Sequence, residues 1–205
     1  LHRSYGFNKF ILLVPSTPIK EGTKNFIEAE YSKKHFADIY PTTTLKLEVL
    51  NAQKAKKSGR KMFPGSITEF SRGSRLEKNR INVLLMSDSM LLSKKTMDKD
   101  DYDQTVFGAY TQPYKALEET RPIIIIDEPH RFKRENKAYQ CIVDKIQPQC
   151  IIRFGATFPN MPKGNEKDYN NLVYNLGTCE AFNDNLVKGV AVQTLNNVDG
   201  EDAKI

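Results

Sequence analysis

The chain has 205 residues, 39% of them hydrophobic, and a formal net charge of +6, which allows one core of ordinary size. No apolar run approaches the roughly 18 residues that a membrane span needs, and no signal peptide is visible. Three cysteines at wide spacing, Cys141, Cys150 and Cys179, suit neither a disulfide framework nor zinc, so reduced core thiols in a cytoplasmic protein with no membrane role are expected.

Lys9-Phe10-Ile11-Leu12-Leu13-Val14 reads as a buried strand, over 8–14. Pro15-Ser16-Thr17-Pro18 closes it, and Ile19-Lys20-Glu21-Gly22 opens a helix expected over 18–37. Ser16 or Thr17 suits the N-cap, and Pro18 is tolerated in the first turn. A helix N-terminus with hydroxyls and Lys20 nearby can bind a phosphate. Taken alone, the same residues describe a plain strand-to-helix connection. A further strand is expected over 44–50.

Between Gln53 and Arg80 the charge is concentrated. Nine basic residues, among them Lys56, Lys57, Arg60 and Lys61, meet only two acids, Glu69 and Glu77. Phe63 and Phe70 are interleaved with Gly59, Pro64, Gly65 and Gly73. Such a mixture suits a loop that follows a nucleic-acid backbone. It equally describes a solvated loop or hairpin. A strand over 81–87 follows. The acidic stretch Asp98 to Asp103 lacks the spacing and glycine of a calcium loop and reads as solvated. A helix is expected over 107–119.

Four isoleucines, Ile123 to Ile126, then lead into Asp127-Glu128-Pro129-His130. The apolar run fits a strand, over 122–127, buried on both faces of a parallel sheet. Ligands of open α/β sheets bind just beyond the carboxyl ends of such strands. There one carboxylate can hold Mg²⁺, mostly through water. The next can orient and deprotonate a water that attacks a γ-phosphate. Acids at this place can also simply cap a helix N-terminus.

After a helix expected over 134–147, Ile151-Ile152-Arg153-Phe154 reads as a last strand, over 150–154, ending in Gly155-Ala156-Thr157-Phe158-Pro159. Gly155 permits a sharp turn and Pro159 stops the ladder. Residues 160–167 read as an exposed loop. Alternating strands and helices give an α/β fold with a mostly parallel sheet flanked by helices. Right-handed crossovers bring the three motif-bearing strand ends to one edge.

The order Asp-Glu-x-His after four aliphatics resembles the Walker B box, motif II, of DExH-type superfamily 2 helicases and translocases. Gly155-Ala156-Thr157 resembles motif III, usually Ser-Ala-Thr, with Gly155 in place of the serine and so without its hydroxyl. The segment around Ser16 resembles motif Ia. Val14-Pro15-Ser16 with Ile19-Lys20-Glu21-Gly22, Asp127-Glu128-Pro129-His130-Arg131-Phe132 and Phe154-Gly155-Ala156-Thr157-Phe158 look together like the Res subunit of type III restriction-modification enzymes. Asn82 to Leu92 and Ala181 to Val190 are similar to further segments of that family, so the resemblance covers roughly residues 5 to 192.

The resemblance implies a RecA-like P-loop NTPase domain of an ATP-dependent type III site-specific deoxyribonuclease. Such a subunit uses ATP and Mg²⁺ to move along double-stranded DNA, with a separate nuclease domain for cleavage. Its partner is a methyltransferase (Mod) subunit that reads the recognition site. The implied roles are Asp127 on Mg²⁺, Glu128 as the water-orienting base, and His130 with Thr157 coupling hydrolysis to movement. Thr157 lies in the nucleotide site, and Pro15, Ser16, Lys20 and Gly22 lie near the DNA backbone.

No Gly-Lys-Thr or Gly-Lys-Ser loop precedes the first strand. Ser58-Gly59-Arg60-Lys61 and Glu21-Gly22-Thr23-Lys24 have neither its order nor its context. The expectation is an incomplete first motor domain over 1–192, lacking its first strand and P-loop, with 193–205 as linker or disordered tail. Such a fragment is expected to be inactive by itself. Two other readings stay open: another superfamily 2 helicase acting on RNA or in DNA repair, and a non-catalytic DNA-binding or scaffold domain that kept a motor fold.

Overall fold

A computed structural model describes residues 1–52, 62–72, 77, 79–100, 102, 110–161, 164, 166–169 and 171–187. Five strands form one parallel sheet in the order β2-β3-β1-β4-β5, with β1 at Lys9–Val14, β2 at Thr44–Val49, β3 at Arg80–Ser87, β4 at Ile123–Asp127 and β5 at Cys150–Phe154. The predicted strands therefore stand within a residue of their expected bounds. β-branched and aliphatic runs specify them because strands covered on both sides need apolar residues at consecutive positions. Along β1, β3 and β4 the side chains alternate between two layers. Ile11, Leu13, Leu84, Met86, Ile124 and Ile126 enter the larger core. Phe10, Ile81, Val83 and Ile123 enter the smaller one on the other face. Each such aliphatic contributes about 1.5–3 kcal/mol on burial.

The helices depart further from expectation. The helix predicted over 18–37 is two helices, α2 (Thr17–Glu28) and α3 (Glu30–Ile39), after a short α1 (His2–Tyr5). The break is Ala29, whose extended backbone (φ −61°, ψ 142°) ends one helix and precedes the next. Phe36 of α3 thereby packs against the smaller core. The predicted loop between 53 and 80 contains α4 (Gly65–Arg72). Ile67 and Phe70, three residues apart, both turn into the larger core, and Phe63 is buried with them. Neither aromatic is therefore presented for stacking on bases. Short α5 (Asp88–Leu91) follows β3, and α6 (Pro113–Thr120) begins later than predicted, with residues 103–109 outside the described residues. The helix predicted over 134–147 is α7 (Lys137–Cys141), continued by a π-turn over Ile142–Ile146.

The cysteines carry free thiols but are not core residues, since Cys150 and Cys179 are exposed and Cys141 is half-buried. Position 150 opens the edge strand, where no further strand covers it among the described residues. A second unit begins at Tyr169, and in its described part α8 (Thr178–Asn183) starts at Gly177, whose N–H donates to Glu180 Oε2 at 3.0 Å. The predicted boundary at 192 falls outside the described residues. No described helix is long and apolar enough to cross a membrane.

Candidate active site

The carboxyl ends of β1, β4 and β5 are adjacent, because β4 pairs with β1 on one side and with β5 on the other. The three segments singled out in the sequence thus share one sheet edge. β4 ends at Asp127, opposite Phe154 of β5. Its carboxylate is half-buried and has no hydrogen-bond or ion-pair partner among the described residues.

Glu128 leaves the sheet in the left-handed region (φ 56°, ψ 64°), and its N–H donates to Phe154 O at 3.0 Å. Pro129–Arg131 then form one 3₁₀ turn, packed through buried Pro129 and Phe132. This turn brings His130 back over its own strand end. His130 Nδ1 lies 3.0 Å from Glu128 Oε2 and 3.3 Å from Thr157 Oγ1. One imidazole nitrogen therefore faces the second motif carboxylate and the hydroxyl of the neighbouring loop together. All three side chains are accessible enough to meet a ligand. Gly155 lies against Pro129, so the two loops are also in van der Waals contact.

Among the described residues, no group of three or more His, Cys, Asp and Glu side chains is spaced to hold a metal. A lone carboxylate at a strand end is nevertheless the donor set that Mg²⁺ uses when water and phosphate oxygens complete its shell. Asp127 fits that demand, and a transition-metal cage does not.

On the β1 side, Ser16 is the N-cap of α2, its Oγ accepting from Ile19 N at 3.5 Å, and Pro18 occupies the first turn. Ser16 is half-buried, Pro15 buried and Gly22 exposed. Lys20 contradicts its predicted place on a DNA surface. Its side chain is only 4% exposed, and Nζ donates to Asn51 Oδ1 at 2.6 Å and to Leu50 O at 3.4 Å. The ammonium satisfies the end of β2 and is turned away from solvent. Lys56, Lys57, Arg60 and Lys61 lie outside the described residues.

Sequence reasoning missed a second layer behind the site. Asp168, 2% exposed, accepts from Arg134 Nε at 2.5 Å and from Arg153 Nη1 at 3.2 Å. Arg153 Nη2 also donates to the Asp168 carbonyl. A charged residue inside the apolar run of β5 was the available signal, since a half-buried guanidinium calls for a carboxylate partner.

Known proteins resemble this chain in sequence. A family model described as "Type III restriction enzyme, res subunit" matches residues 1–160. The chain is 47% identical to the type III restriction-modification enzyme StyLTI Res subunit of Salmonella typhimurium strain LT2, covering 94% of this chain and 20% of that protein. It is 41% identical to the EcoP15I Res subunit of Escherichia coli and 40% identical to the EcoPI Res subunit of Escherichia phage P1, in each case over 93% of this chain and 19% of the relative. The chain thus spans about a fifth of the length of the curated relatives it matches.

Proposed function

The chain belongs to the Res subunit family of type III restriction enzymes, with its RecA-like α/β domain, and from that premise we propose that it forms part of an ATP-driven DNA motor. The supporting observation is the contact of His130 with both Glu128 and Thr157 at the carboxyl edge of the sheet. It joins the acid suited to activate water to a second loop, so a change at the phosphate has a path to leave the site.

In this reading Asp127 would hold Mg²⁺, which when bound would neutralise charge developing on the phosphates. Glu128 orients the attacking water and takes its proton. His130 and Thr157 transmit the state of Glu128 to the loop after β5. The residues around Ser16, with the basic segment 53–61, line the path of the DNA backbone. The protein that carries this chain acts on double-stranded DNA beside a methyltransferase (Mod) subunit. The 205 residues alone turn over ATP negligibly, because most phosphate contacts in such motors come from a Gly-rich loop and its lysine, and these residues hold no such sequence.

The test is ATP turnover by the full-length protein with its methyltransferase partner, alone, with duplex DNA and with RNA. Stimulation by duplex DNA is expected. Stimulation by RNA alone would favour another helicase class, and no turnover under any condition would favour a scaffold.

A further inference from the structure

Asp168 closes a ring behind the site. β5 carries Arg153, then the loop with Thr157, then a narrow hairpin in which Asn160 and Lys167 form an antiparallel bridge and Met161 N donates to Glu166 O at 2.8 Å. The chain returns so that Asp168 N–H donates to Pro159 O at 2.8 Å, while its carboxylate reaches Arg153 where the ring began. The same carboxylate takes Arg134, four residues beyond His130 on the other loop. One buried acid therefore ties together the two segments that carry His130 and Thr157.

Strand β5 is already placed by its ladder with β4, so Arg153 needs no carboxylate to fix the strand. What the acid adds is closure of the loop and its attachment to the segment after the 3₁₀ turn. Charge-assisted hydrogen bonds from guanidinium groups are directional and short, and here the carboxylate that accepts them is buried, unlike that of a surface pair.

We propose that Asp168 is a positioning residue that, through Arg134 and Arg153, holds Thr157 against His130 and so sets the turnover rate of the motor and not its affinity for ATP. This inference rests on the motor reading above. A contact held only at 3.3 Å is sensitive to small displacements, and misplacement by about 1 Å can cost up to ~100-fold in rate.

The experiment uses the full-length protein with its methyltransferase partner and duplex DNA. Asp168→Asn, Thr157→Ala and the double variant are compared for kcat and KM of ATP turnover. Asp168→Asn should lower kcat by roughly 10-fold or more while KM stays within about twofold. Added to Thr157→Ala, it should cost nothing further, since the contact it positions is already gone. Equal losses in both backgrounds, or none, would overturn the role of Asp168 and leave it a support of the fold. A wild-type assembly without DNA-dependent turnover would overturn the motor reading itself, a different result from wild-type activity with an indifferent Asp168. Should circular dichroism show that Asp168→Asn does not fold, Arg134→Gln carries the same cycle, because it leaves the Arg153 pair intact.

Discussion

A Cβ placed on Gly155 would lie 2.4 Å from Cδ of Pro129 and 3.2 Å from its Cγ, and 3.6 Å from the Cα of Glu128. The ring of Pro129 thus occupies the space that a serine would need at the head of the third motif. Glycine here is the partner of proline in the second motif. Its conformational freedom is not required, but its lack of a side chain is.

Gly155→Ser, which restores the residue usual in related motors, is expected to destabilise the protein. Overpacking a close contact typically costs about 1–3 kcal/mol. Pro129→Ala in the same molecule should recover most of that loss. Chemical denaturation of the two single variants and the double variant measures it, and an additive result would mean the two residues do not meet.

Glu128→Gln in the full-length protein is expected to keep nucleotide binding and lose hydrolysis. Removal of a general base costs roughly 10²–10⁴-fold in rate. Glutamine retains an acceptor for His130, so the turn should stay folded. Single-turnover hydrolysis beside a nucleotide-binding assay separates the two effects, and a normal rate removes Glu128 from the mechanism.

Lys20→Met should cost stability and spare DNA binding. The ammonium serves Asn51 Oδ1 and the carbonyl of buried Leu50, and stranding a buried carbonyl costs about 1–3 kcal/mol. A direct phosphate contact would instead contribute about −0.9 to the slope of log affinity against log salt. Thermal melts and a salt titration of duplex binding decide the matter, with a flatter slope at unchanged stability returning Lys20 to the DNA surface.

Neutralising Lys56, Lys57, Arg60 and Lys61 together should flatten that slope by a few units, at about 0.9 for each phosphate released. The weakening should be even across sequences, because backbone contacts carry no base information. An unchanged slope and affinity would mark the segment as solvated and move the search for DNA contacts to Ser16 and its neighbours.

The strands were legible because each is a short apolar run ended by a turn former or an acid, and the acids of the second motif fall where a parallel sheet puts ligands. The break at Ala29 was not, since alanine is the best helix former and the packing of Phe36 that the break allows is a tertiary contact that no local pattern announces. α4 was hidden by the charge around it, although Ile67 and Phe70 already had helical spacing. For Lys20, the sequence supplied the helix but not the direction of a four-carbon stem. The partner of Arg153 lies fifteen residues away across an irregular hairpin, and no periodicity reaches that far.

The backbone of Glu128 has a wider consequence. Its left-handed conformation costs a residue with a side chain about 1–2 kcal/mol, and glycine or asparagine would sit there at ease. The cheapest gain in heat tolerance at this edge would therefore come from exchanging the very acid proposed to activate water. Stability and turnover pull in opposite directions at a single position, so any thermal hardening of this domain has to be found elsewhere, in its helices or beneath its sheet. Strain kept at a reactive residue and carried by a rigid parallel sheet is a common arrangement in working sites; Arg121, Gln147 and Asn185 share the left-handed backbone, so its place at the carboxyl end of β4 is what sets Glu128 apart.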